Sequence, residues 1–350
     1  MTIQAIWEEA KRHVGCLSDL KTKESRRRYP AEEDEDHLFY SCPFIRDETK
    51  VCNCKATRGA GGKTQVFSFR KSELIRGRLT HMIEVNGNSV MASDILGLNT
   101  NLVRAVALCH DMGHGPLGHP GENWVKKMMG RSDFCHEIMG VVIAQKIERS
   151  GKGLNLTWHT LRAIARNSIP VERFGTFSEL QLLAFTDAFT YITADANDME
   201  KRGKYTFATE LKDLLNLFGS NQRERIDTLI ASLVIESAQH GHVSFEHSEP
   251  AKKFRLAKDL MYNTVYYRVT EQGVEERMEK AFNRLKRLKI ADPFLLLTLM
   301  TDNDIRMFTD HPTGDWLAFS ATDVAEIVER LPEIERRHGK IDLCDPDLDW

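Results

Sequence analysis

Residues 107–122 read Ala107-Leu-Cys-His-Asp-Met-Gly-His-Gly-Pro-Leu-Gly-His-Pro-Gly-Glu122. The stretch begins in an apolar run, Leu102–Cys109, whose spacing predicts a buried helix. It then breaks into a turn where Gly113, Gly115, Gly118 and Gly121 let the backbone approach a neighbour closely. A buried helix that ends in His-Asp, followed by a tight His-bearing turn, builds a core poorly. It is well suited to aiming imidazoles and a carboxylate at one point. Neutral imidazole nitrogens and carboxylate oxygens are the donors that a divalent cation takes. His110 and Asp111 are adjacent, so both reach one ion only from a helix end or kink, which the following glycine provides. The plainer reading is a chance dipeptide facing solvent. The apolar helix before it and the glycine-rich turn after it weigh against that reading.

Working outward, Arg76–Val85 reads as the start of an amphipathic helix on which Arg78 and His81 share a face. That face could offer a metal ligand and a phosphate-binding cation together, or be a surface Arg beside a half-buried His. Downstream, Phe177–Asp198 reads as a strong helix. Asp187, Tyr191 and Asp195 recur every four residues on one face, and Leu182, Phe185, Phe189 and Ile192 form the opposing apolar stripe. The polar row is either a ligand-lined wall or a solvated face.

The whole chain fits this helical reading. It has 350 residues, 41% hydrophobic and 28% charged, which excludes collagen, disordered and disulfide-stapled classes. Lys+Arg of 48 against Asp+Glu of 51 gives a net charge of −3, so no global basic excess points to nucleic acid. The longest apolar stretch, near Phe294–Met300, is far short of the ~20 residues of a membrane helix. No signal peptide is expected at the N-terminus, and the seven cysteines are expected as reduced thiols in a cytoplasmic protein.

Helices are expected near 3–18, 71–90, 101–112, 121–130, 134–150, 157–167, 178–198, 206–218, 222–239, 250–267, 271–289 and 322–331. The best strand candidates are Gln65–Phe69 and Val243–Phe245. The fold class is therefore mainly α, a helical bundle with few short strands. We expect a core over residues 1–270, with a loose insertion near 47–62, and a helical C-terminal extension over 271–350 packed on it.

In order, Arg78-Leu-Thr-His81, His110-Asp111 through Glu122, and Asp187 resemble the H…HD…D pattern of the HD-domain metal phosphohydrolases. More narrowly they resemble the deoxynucleoside triphosphate triphosphohydrolases, the bacterial dGTPases and the vertebrate sterile-alpha-motif/HD dNTPase. Ser41-Cys-Pro-Phe-Ile-Arg46 is similar to that family's S-x-x-F-R-R, and Lys63-Thr-Gln-Val66 matches its K-T-Q-V. Phe134-Cys-His136-Glu is similar to F-E-H-N, and Val265-Tyr266 to a late V-Y. The chain departs from the pattern at His37, Ile45, Cys135 and Glu137, and the stretch Asp47–Gly62 is longer than the family's.

The resemblance implies hydrolysis of dGTP or several dNTPs to deoxynucleoside and tripolyphosphate. It implies a divalent ion on His81, His110, Asp111 and Asp187: Mn²⁺ or Mg²⁺ first, with Fe, Co or Zn as alternatives. His119 is the candidate general acid, with Glu122 orienting its ring, and His136 is a second candidate near the phosphates. Arg78 would clamp phosphate. Gln65, Tyr191, Asp195 and Tyr266 would contact the sugar, a packed tyrosine excluding a 2′-hydroxyl. A homo-oligomer is the expected assembly, with no membrane partner. Single-stranded nucleic acid is a further partner that no feature of the sequence supports. Two rivals remain: another HD phosphohydrolase, a nucleotidase or cyclic-nucleotide phosphodiesterase, and a non-catalytic nucleotide-binding HD protein.

Other motifs count for less. Gly61-Gly62-Lys63-Thr64 imitates a phosphate-binding loop, but Thr57 stands where that motif needs glycine. Cys42, Cys52 and Cys54 lack the second pair that a zinc site would show.

Overall fold

Apolar residues three and four apart give helices along most of the chain. In the computed structural model the described residues are 2–30, 42–66, 75–168, 171–201, 209–266, 273–310 and 323–350. In chain order the helices are α1 Ile3–Ala10, α2 Pro43–Asn53, α3 Lys55–Gly59, α4 Arg78–Leu96, α5 Thr100–Ala107 and α6 Gly118–Met129. There follow α7 His136–Val142, α8 Glu148–Gly151, α9 Trp158–Ala165, α10 Val171–Phe174, α11 Ser178–Lys201 and α12 Thr209–Asn216. The last are α13 Gln222–His240, α14 Glu249–Leu260, α15 Val274–Arg287, α16 Pro293–Leu299, α17 Asp302–Asp310 and α18 Asp323–His338. Side-chain caps start several of them: Thr157, Asn221, Ser248 and Asp292 each accept from a backbone N–H in the first turn. Among the described residues the only β pairing is two isolated bridges, Arg27 with Thr157 and Thr64 with Gly77. The fold is all α, as expected.

The chain forms two compact units. The first comprises Met1–Glu24, Ile83–Ala107 and Gly175–Thr270; the second comprises Ser25–Met82, Leu108–Phe174 and Glu271–Trp350.

In the first unit α11 packs by polar as well as apolar contacts. Ser89 and Thr186 hydroxyls meet at 2.6 Å, and Asn88 donates to Thr190 at 2.8 Å. Phe189 lies edge-on to Phe245 and Phe254, each at 4.9 Å between centroids. The strand expected at Val243–Phe245 is absent, and this segment is irregular. The buried Glu236 carboxylate takes the Ser244 hydroxyl and the N–H groups of Glu246, His247 and Ser248, so the segment needs no ladder partner.

The second unit buries Met112, Leu117, Trp124, Met139, Met278 and Leu296 in one core. The stretch expected as a loose insertion near 47–62 is helical and packed, with Val51, Cys54 and Ala60 buried. Its charge conceals this: Asp47 is fully buried and accepts from Arg27 and from the Thr157 and Thr160 hydroxyls. The single helix expected over 134–150 is broken by a π turn at Ile143–Ile147, and the one expected over 3–18 leaves the α form after Ala10. Helices α2, α3, α10, α16 and α17 were not expected from the sequence. All seven cysteines are free thiols. The acidic run Glu32–Asp36, His37, Ser41 and the Phe67–Phe69 part of the other strand candidate lie outside the described residues. No helix among the described residues is long and apolar enough to cross a membrane.

Candidate active site

The His-rich turn owes its shape to its glycines. A Cβ on Gly113 would lie 2.0 Å from the His136 carbonyl oxygen and 2.1 Å from the Gly140 nitrogen. Only glycine lets the chain press so closely on α7. That contact brings His136 over to the turn that carries Asp111 and His114.

His81, His110 and Asp111, all buried, each offer a ligand atom, and these atoms lie within 4.8 Å of one another. Nε2 of His110 is 3.3 Å from Asp111 Oδ1, and Nε2 of His81 is 3.9 Å from Oδ2. Two imidazoles and a carboxylate converging in this way are a donor set that fits a divalent cation. Arg166 also reaches Asp111, with Nη2 donating to Oδ1 at 3.1 Å. Burial alone would raise the Asp111 pKa, but His110, Arg78 and the neighbouring imidazoles hold it well below the usual carboxylate range.

Arg78 does not stand ready to clamp phosphate. It is buried, with Nη1 donating to Asp111, Nε to the Thr64 carbonyl at 3.0 Å and Nη2 to the Gln65 carbonyl at 3.3 Å. The first turn of α4 points it inward, so its guanidinium positions Asp111. The Gln65 side chain contributes a buried Oε1 with no hydrogen-bond partner among the described residues.

A second group lies beside the first. His114, His119 and His136 present ring nitrogens within 4.8 Å of one another. His114 stacks on His136 at 3.6 Å, and His119 meets both rings edge-on. Nε2 of His114 and of His136 each lie 3.8 Å from Asp111 Oδ1. Burial, with Arg78 and His136 close by, holds the His114 pKa well below its ordinary value and lowers that of His119. His119 keeps an edge open to solvent.

The expected pairing of Glu122 with His119 is replaced by another. Glu122 Oε2 bonds His136 Nδ1 at 2.8 Å, and Oε1 takes Lys126 Nζ at 3.0 Å. His119 and Glu122 share the first turn of α6, but α7 delivers His136 directly onto the carboxylate. Burial opposes ionisation of Glu122, yet the His136 bond outweighs it and brings its pKa down to about 2.

The remaining expected site residues lie in the first unit. Asp187, Tyr191 and Asp195 occupy successive turns of α11. Tyr266 donates to Asp195 Oδ2 at 2.6 Å, and the Tyr191 and Tyr262 hydroxyls are 3.2 Å apart. Burial raises the Tyr191 and Tyr266 phenols well above their ordinary pKa. Sequence reasoning did not single out Arg166 or Tyr262, and it marked Lys63 only as part of the K-T-Q-V match. Arg166 lies 55 residues from Asp111 and has no local signal. His114 was visible three residues after Asp111, but was given no role.

The HD domain family matches residues 78–192. A deoxyguanosinetriphosphate triphosphohydrolase-like protein of Caldanaerobacter subterraneus subsp. tengcongensis is 30% identical over 81% of this chain and 82% of its own length. Like-named proteins of Clostridium tetani and Ruegeria sp. are 29% identical over 75% of each chain, and 42% identical over 53% of this chain and 54% of the relative. With its HD motif and this extent of similarity, the chain belongs to the HD-domain family of deoxyguanosinetriphosphate triphosphohydrolase-like proteins.

Proposed function

We propose that this protein is a metal-dependent triphosphohydrolase that cleaves deoxynucleoside triphosphates, dGTP or several of them, into deoxynucleoside and tripolyphosphate. The observation that carries this reading is the juxtaposition of two groups around Asp111. One is a His/His/Asp set suited to a divalent ion, and the other is a set of three imidazoles, of which His136 is bonded by Glu122. The relatives' name points the same way.

In this reading His81, His110, Asp111 and Asp187 hold Mn²⁺ or Mg²⁺. Such an ion supplies Lewis acidity at a phosphoryl oxygen and a bound water of lowered pKa. The chain's own residues do the rest. Arg78 and Arg166 flank one carboxylate, giving a locally cationic site for a polyanionic substrate. His119, open to solvent, transfers a proton at the sugar 5′-oxygen, a poor leaving group that needs one. Its lowered pKa makes its protonated form a readier donor. Glu122 acts by fixing the His136 ring near the phosphates. Gln65, with its unsatisfied Oε1, and the Tyr191, Asp195 and Tyr266 group contact the sugar and exclude a 2′-hydroxyl. We place the protein in the cytoplasm, on its seven free thiols.

The test is to incubate each dNTP with the protein and Mn²⁺ or Mg²⁺ and to identify the phosphate product. Tripolyphosphate with deoxynucleoside is expected. Orthophosphate, or turnover only of a cyclic nucleotide, would instead assign another HD phosphohydrolase, and binding without turnover a sensor.

A further inference from the structure

The turn that carries His114 and His119 is clamped from outside the HD motif. Leu117 has φ 62° and Gly118 φ 61°, so two consecutive left-handed residues precede the first full turn of α6. Left-handed backbone is costly for leucine, and it persists only where surrounding contacts hold it. Leu117 is wholly buried, and its N–H donates to Asp302 Oδ1 at 2.8 Å. The other oxygen of Asp302 accepts from the Thr64 hydroxyl.

Thr64 in turn gives its carbonyl to Arg78, which holds Asp111. Lys63, also buried, donates to the His114 carbonyl at 2.6 Å. The chain around Asp302 is pressed onto the same two segments. A Cβ on Gly62 would lie 3.1 Å from the Thr301 side chain, and one on Gly115 would lie 3.7 Å from the Thr298 backbone. Asp302 thus joins the strained turn to the Thr64–Arg78–Asp111 chain of hydrogen bonds.

We propose that Asp302, brought by the C-terminal segment, is a positioning residue that holds the Leu117 turn so that His114 and His119 stay in place beside Asp111. The proposal rests on the reading of those histidines as catalytic. Its test therefore includes a readout that does not depend on turnover.

Asp302→Ala removes both acceptors. Asp302→Asn keeps an acceptor for the Leu117 N–H and an amide that can bond the Thr64 hydroxyl. With the metal-loaded full chain, Asp302→Ala should lower kcat per bound metal by about 10- to 100-fold, the scale expected when reacting groups are displaced by about 1 Å. KM and metal stoichiometry should change little, because Asp302 itself bonds only Leu117 and Thr64 and none of His81, His110 or Asp111. Asp302→Asn should restore most of kcat. In ¹⁵N-histidine spectra at fixed pH, the His114 and His119 ring signals should move in Asp302→Ala and return in Asp302→Asn.

If Asp302→Ala does not fold, Thr64→Val, which removes one arm of the clamp, should give a smaller loss of kcat and smaller shifts of the same signals. A folded Asp302→Ala, or a Thr64→Val standing in for it, with wild-type kcat per metal and unmoved ring signals would overturn the proposal. So would a lower melting temperature alone. If the parent protein hydrolyses no dNTP yet the ring signals move, the functional reading fails and the positioning role stands.

Discussion

Asp111 is the residue at which most of the candidate chemistry meets. Arg78, Arg166 and the imidazoles of His81, His110, His114 and His136 all approach its carboxylate. Asp111→Ala should abolish metal binding. It should also cost about 3–5 kcal/mol in stability, because the two buried guanidiniums lose the carboxylate they share. Metal analysis beside a thermal melt checks both, and full stoichiometry in the mutant would show the ligand assignment to be wrong. His119 and Glu122 do not share a hydrogen bond, whereas His136 and Glu122 do. His119→Ala should lower the rate by about 10²–10⁴ with metal retained. Glu122→Ala and His136→Ala should each cost less, and their double mutant should be little worse than the poorer single, since the pair acts as a unit. Pairing His119→Ala with Glu122→Ala should come nearer to additive. Turnover per bound metal in the full set of variants decides between the two couplings.

At the scale of elements, the placement of the glycines separates those that build the site from those that do not. Gly113 allows the His-rich turn and α7 to meet backbone to backbone, so Gly113→Ala forces them apart. The cost should reach or exceed ~3 kcal/mol, the upper end of overpacking, and the His114–His136 stack should be lost. Gly87 lies exposed inside α4 with nothing near its would-be Cβ. Gly87→Ala should stabilise by about 0.5–1 kcal/mol, because alanine restricts the unfolded chain and favours the helix. Denaturant unfolding of both variants should give opposite signs. The same elements show what periodicity conveyed. α11 was legible because its apolar stripe faces a core while its polar row follows one edge. α2 was not, because the buried Asp47 reads as surface until Arg27, Thr157 and Thr160 are seen around it.

Over the whole molecule, each unit carries a carboxylate held far below its ordinary pKa of 4.5. These are Glu236 in the first and Glu122 in the second, both at about 2. For Glu236, burial would raise the value, but the bonds from Ser248, Glu246, Ser244 and His247 outweigh it. A depressed folded-state pKa gives stability that is fully present above 4.5 and lost as pH falls from there toward 2. Melting temperature should therefore fall steeply between those values. Glu236→Gln should lower it at neutral pH and converge with the parent near pH 2; a constant offset across the range would contradict the assignment. The intact protein should also hydrolyse dNTPs much faster than NTPs, with Tyr266→Ala narrowing the gap. Equal rates on ATP and dATP would refute the proposed function. That the chain is helical, that His110-Asp111 stands at a glycine-rich break, and which ordered motifs mark its family were all legible along the chain, because they depend on spacing. That Arg78 serves Asp111, that Glu122 belongs to His136, and that Arg166 and Asp302 reach the same turn are visible only in the folded chain. Those partners are set by backbone approach between distant segments, which no local periodicity encodes.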